Sequence, residues 1–96
     1  MDYLIKVKAA KYIGDYKIYC LFSNGVEKIA VLKNELYGEM FEPLKDKNNF
    51  IHLKVDDTLE TIVWSNGADI APYSLYEIGK TIAKTIKNKP NFSKVR

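Results

Sequence analysis

The 96-residue sequence is 47% hydrophobic and 28% charged, the make-up of one ordinary globular domain. Fifteen basic residues against twelve acidic ones give a net charge of +3. The opening Met-Asp-Tyr-Leu-Ile-Lys is no signal peptide, no stretch is apolar enough to span a bilayer, and the single Cys20 excludes an internal disulfide, so the expected location is a reducing cytoplasm. A domain this small buries only about two-thirds of its unfolded surface, and a homodimer would add to that burial.

The predicted elements run as follows. Leu4 to Tyr12 alternates Leu4, Lys6 and Lys8 with Ile5, Val7 and Ala9, a strand with one wet and one dry face. Gly14-Asp15 marks a turn. Tyr16 to Phe22 is the clearest strand: Tyr16, Ile18, Cys20 and Phe22 share one face, and Tyr19 and Leu21 make the other partly apolar, as in a central strand. Ser23-Asn24-Gly25 closes a hairpin onto a return strand from Val26 to Leu32.

From Lys33 to Asp46 the period changes. Leu32, Leu36, Tyr37, Met40, Phe41 and Leu44 recur at helical intervals, while Gly38 and Pro43 divide the stretch into short helical turns. A polar loop (45–49) leads to a strand from Phe50 to Val55. Asp56-Asp57 then turns into a second strand, Leu59 to Trp64, paired antiparallel with the first.

Thr61-Ile62-Val63-Trp64 suits a pleated, half-buried surface. Ser65-Asn66-Gly67 repeats the Ser-Asn-Gly at 23–25 and also follows an aromatic residue, the same solution to the same turn; its Asn-Gly favours type I′. Asp69 is placed to accept backbone N–H groups in the loop. Ser74 and Glu77 have the spacing of a capping box, opening a helix from about Ser74 to Asn88. Leu75, Ile78, Ile82 and Ile86 form its stripe, with Lys80, Lys84 and Lys87 opposite, and Pro90 ends it. The reading is a single α+β domain over 1–88, with an antiparallel sheet of about five strands, short helical turns after the third strand and a C-terminal amphipathic helix. A basic tail over 89–96 follows, expected to be loose.

On these residues the chain resembles a family of small bacterial domains, Domain of Unknown Function 2442. The shared pattern is the strand ending in Phe22 before Asn24-Gly25, the return strand and helical turns. A strand led by Phe50 follows, then Trp64-x-Asn66-Gly67-x-Asp69, Pro72 and Leu75-Tyr76, over roughly residues 5–77. Where the family usually has an acid followed by leucine, this chain has Val31-Leu32, so that acid's role is absent. The basic stretch after Tyr76 is longer than the family core requires. The resemblance implies an α+β domain with helical segments against an antiparallel sheet, and no known reaction. Some relatives carry a helix-turn-helix and many sit beside another small gene, which implies an antitoxin-like or regulatory role.

No catalytic, cofactor or metal constellation is visible. His52, the only histidine, lacks an orienting partner and reads as a sheet-surface residue. Cys20 sits among apolar neighbours and reads as a small hydrophobe. Asp56, Asp57 and Glu60 read as solvated turn acids. Trp64, Asn66, Gly67 and Asp69 could form a recognition loop; the structural alternative is a tryptophan packed on the helix beside an Asn66-Gly67 turn pinned by Asp69.

Seven tyrosines exceed what core packing needs, and Tyr12, Tyr16, Tyr19, Tyr73 and Tyr76 cannot all be buried. Tyrosine suits binding surfaces, which favours a protein partner or a second copy. The candidate partner-binding residues are thus Tyr16, Tyr19, Trp64, Asn66, Asp69, Tyr73 and Tyr76. The expected function is non-catalytic protein binding, as by an antitoxin or a phage or mobile-element inhibitor occupying a partner's surface. The alternative is nucleic-acid binding through Lys80, Lys84, Lys87 and Lys89. It would be sequence-independent and salt-sensitive, and the acidic body of the chain opposes it.

Overall fold

A computed structural model describes residues 4–81. The α+β reading holds: a four-stranded antiparallel sheet and a two-stranded ladder, with short helices between them. The strands of the main sheet are β1 (Val7–Gly14), β2 (Lys17–Phe22), β3 (Glu27–Val31) and β6 (Lys80–Thr81), in spatial order β1-β2-β3-β6. The ladder pairs β4 (Lys54–Asp56) with β5 (Thr61–Val63). It joins the sheet where the Val7 N–H donates to the Glu60 carbonyl at 2.9 Å.

The core lies on one side of the main sheet. Val7, Ile18, Cys20, Phe22 and Ala30 point into it and are buried. Phe50, Leu44, Ile62, Trp64 and Leu75 meet them from the helical turns, the ladder and the last helix. Each buried side chain of this size contributes about 1.5–3 kcal/mol by leaving water, so this face carries the fold.

The crossover after β3 is two 3₁₀ turns, Lys33–Glu35 and Glu42–Lys45, burying Leu36 and Leu44. The predicted strand from Phe50 starts later. Asp46 caps a single helical turn, α1 (Lys47–Phe50), by accepting the Asn48 N–H at 3.0 Å. Phe50 therefore reaches the core from a helix, and the strand begins at Lys54.

The last helix also departs from expectation. α2 runs only Pro72–Ile78. Pro72 occupies its first turn, where a missing N–H is harmless, and no side chain caps it. Ser74 and Glu77 thus lie inside the helix and form no capping box. Gly79 ends it, donating its N–H to Leu75 O at 2.8 Å. A Cβ at Gly79 would lie 2.9 Å from Lys28 Cβ, so only glycine lets the helix end approach β3 this closely. The chain then pairs Lys80 with Ile29 and Thr81 with Lys28. Lys80 is a strand residue rather than part of a helix. The rest of the predicted helix and the basic tail lie outside the described residues.

The two Ser-Asn-Gly turns share one geometry, which is not type I′. Gly25 and Gly67 have positive φ (86° and 92°) while Asn24 and Asn66 do not. In each, the glycine N–H donates to the carbonyl of the preceding aromatic, Phe22 at 2.9 Å or Trp64 at 3.0 Å. The asparagine Oδ1 accepts the next N–H, from Val26 at 3.0 Å or Ala68 at 3.1 Å. This is a three-residue loop with its third residue left-handed. The two-residue turn with positive φ at both positions belongs instead to Asp15 and Tyr16 (φ 51° and 60°), between β1 and β2. A left-handed non-glycine costs about 1–2 kcal/mol. Tyr16 offsets it by packing edge-on against Phe50 at 5.0 Å, donating its hydroxyl to the Lys45 carbonyl and accepting the Leu32 N–H at 2.9 Å.

Candidate partner-binding surface

Most of the candidate aromatic residues hold the fold together. Trp64 is buried, and its Nε1–H donates to the Phe50 carbonyl at 2.9 Å. It packs against Phe50 and Phe41, at ring separations of 5.6 and 6.3 Å. Tyr16 sits beside Phe50 as described above. Tyr76 packs edge-on against Phe22 at 5.0 Å, and Lys28 Nζ lies 3.7 Å from its ring centre. Its hydroxyl accepts from Asn24 Nδ2 at 3.3 Å, so the first Ser-Asn-Gly loop is tied to α2.

Asn66, not Asp69, pins the second loop. Its Oδ1 holds the Ala68 N–H, and its Nδ2 donates to the Met40 carbonyl at 2.9 Å. Asp69 is exposed and forms an isolated backbone bridge with Val63. Tyr73 is half-buried on α2; partial burial, then the charge and hydrogen bond of Glu77, raise its hydroxyl pKa. These residues do not converge on one site. Trp64 and Asn66 lie at the ladder end, Tyr73 and Tyr76 on α2, and Tyr16 at the β1–β2 turn.

Tyr19 stands apart, because it points away from the core. Cross-strand pairing shows what surrounds it. Tyr19 is flanked by Lys11 and Ile29, and Ile29 by Lys80; Leu21 is flanked by Ala9 and Glu27; Lys17 faces Val31. With Ile13, the outer face of the sheet thus presents Ile13, Tyr19, Leu21, Ile29 and Val31. None of these belongs to the core cluster, and Ile13 and Val31 are 44% and 43% exposed. Tyr19 donates its hydroxyl to Glu27 at 2.7 Å; burial first, and then this carboxylate, push its pKa up to about 12, so the phenol remains a donor.

Lys11, Lys17 and Lys80 border this face, and none of them pairs with an acid among the described residues. The ion pairs there are Lys6–Glu60, Lys33–Asp15 and Lys45–Glu42. The sequence carried one signal of this face, the two-sided apolar pattern of Tyr16 to Phe22. Ile29 and Val31 were missed because each, taken on its own strand, is an ordinary alternation, and Ile13 because the predicted first strand stops at Tyr12 while β1 runs on to Gly14.

The remaining groups have structural explanations. Cys20 is fully buried, and burial pushes its thiol up to about 12, far from a thiolate nucleophile. His52 is exposed, near the start of β4. Asp56 accepts the Thr58 and Leu59 N–H groups at 3.0 and 2.7 Å, which shapes the turn into β5. A hollow of about 280 Å³ is lined by Tyr16, Lys33, Asn34, Leu36 and Lys45, but its two lysines are already ion-paired. Among the described residues no helix is long and apolar enough to cross a membrane, and no three His, Cys, Asp or Glu side chains group as metal ligands.

A family model described as a protein of unknown function (DUF2442) matches residues 7–81, from the first residue of β1 to the last of β6. No curated protein and no solved structure gives a significant match.

Proposed function

The chain belongs to the DUF2442 family of proteins of unknown function, and from that premise we propose that it is a non-catalytic, cytoplasmic protein-binding domain. It acts by occupying a partner's surface, in the manner of an antitoxin or of an inhibitor carried by a phage or mobile element. The observation that carries this reading is the outer face of the sheet, where Ile13, Tyr19, Leu21, Ile29 and Val31 stand together outside the core. An apolar patch rimmed by polar residues is the usual form of a protein-interaction site.

A second reading, nucleic-acid binding, draws on Lys80 standing on the same face as Lys11 and Lys17. It is weaker because the face is aliphatic apart from one tyrosine, and single-stranded nucleic acid is held by aromatic stacking platforms. Affinity capture from native lysate, with and without nuclease and at two salt concentrations, separates the two. A stoichiometric protein retained through nuclease and high salt is the expected result. Nucleic acid that elutes with salt would overturn the protein-binding reading.

A further inference from the structure

We propose that the outer face of the β1–β2–β3–β6 sheet is the docking surface for an acidic, aliphatic segment of a partner protein. This rests on the protein-binding reading and adds the place and the partner's chemistry.

The argument is charge complementarity. The apolar centre of the face is bordered by the ammonium groups of Lys11, Lys17 and Lys80, without acidic partners among the described residues. The acid on the face, Glu27, already accepts the Tyr19 hydroxyl. Unpaired cations around an apolar patch select carboxylates spaced around aliphatic side chains, and like charges brought together there are penalised.

The same charges argue against the other occupants. A second copy applied face to face would bring two faces together that each carry three lysines and one acid, so their charges would not be neutralised. The chain's residues 82–96 carry Lys84, Lys87, Lys89, Lys94 and Arg96 and no acid, so they offer no carboxylate to neutralise the face. Size points the same way. With strands about 4.8 Å apart and a rise of about 3.3 Å per residue, three strands of five residues or more and the two-residue β6 offer roughly 250–300 Å² in projection. That is below the ~800 Å² per partner of a standard interface and suits a single helix or extended segment.

The test pans a random peptide display library against the full chain, then titrates a synthetic copy of the most enriched peptide into ¹⁵N-labelled protein. Acidic peptides with interspersed aliphatic residues are expected, with shifts concentrated at the amides of Tyr19, Leu21, Ile29 and Val31. Lys11→Glu with Lys17→Glu should weaken binding by about tenfold or more, and Lys11→Gln with Lys17→Gln by less, both folded as judged by their spectra. Enrichment of basic or neutral peptides, or no enrichment, would overturn the proposal. So would shifts of the face amides with the protein's own concentration, which would make a second copy the occupant, or contacts from residues 82–96 in the free chain. A footprint on another face would defeat this proposal and leave the protein-binding reading standing. An oligo-dT strand shifting the face amides in place of any peptide would defeat both.

Discussion

The two faces of the main sheet are built from the same strands and similar side chains, yet they do different work. Ile18, Cys20, Phe22 and Ala30 on the inner face are at most 1% exposed and belong to the core cluster. Tyr19, Leu21, Ile29 and Val31 alternate with them on the outer face and are only partly covered. Hydrophobicity alone does not tell these sets apart. What does is whether another element returns to cover them, and here the helical turns, the ladder and α2 contribute to one core.

The sharpest way to break this comparison is to place one charge on each face. Ile18→Asp would bury an unpaired carboxylate and should unfold the domain, a cost above about 4 kcal/mol. Ile29→Asp should cost about 1 kcal/mol or less and leave a cooperative transition. Trp64 is the chain's only tryptophan and is buried, so its fluorescence reports both. Similar losses for the two variants would mean that the outer face is packed as tightly as the inner one.

Gly79→Ala tests the joint that carries the chain from α2 on the inner side to the β6 edge. The added methyl meets Lys28 Cβ and the Leu75 carbonyl at 2.9 and 3.0 Å. We expect a loss of about 1–3 kcal/mol, read by denaturant unfolding. Asn66→Ala releases the hydrogen bonds to Ala68 and Met40 and should cost about 1–2 kcal/mol.

The smallest effect is alkaline. Folding raises Cys20 from 9.0 and Tyr19 from 10.0, each to about 12, because it favours the neutral thiol and phenol. Their stabilisation is complete below about pH 9 and is lost as the pH rises towards 12, since the unfolded chain ionises first. Cys20→Ala should delay the onset of this decline to about pH 10, where Tyr19 alone remains. Thermal melts across this range measure it.

Much of the fold was legible because its signals are local. Alternation located the first three strands, and each Ser-Asn-Gly marked a reversal. The errors came where a competing local cap or a tertiary contact decides. Phe50 heads a run that alternates like a strand, but the Asp46 cap draws it into a helical turn. The stripe Leu75, Ile78, Ile82 and Ile86 reads as a long helix, yet Gly79 against Lys28 stops it and sends Lys80 and Thr81 onto β3. Asp69 looked like the loop's anchor, but Asn66 offers both an acceptor and a donor and reaches two segments at once. The proposed binding surface was the least legible part. Tyrosine count pointed to Tyr16, Tyr73 and Tyr76, which pack or bond within the fold, and to Tyr19, which lies on the outer face; the rest of that face is assembled from residues on four strands and emerges only from their register.

The most direct test of the division between the faces is the double variant Leu21→Asp with Ile29→Asp, assayed for thermal unfolding and for capture of the lysate partner. The account predicts a melt that stays cooperative, lowered by several degrees because the new Asp at position 21 faces Glu27, and loss of the nuclease-resistant partner. Undiminished capture by the folded double variant would contradict it.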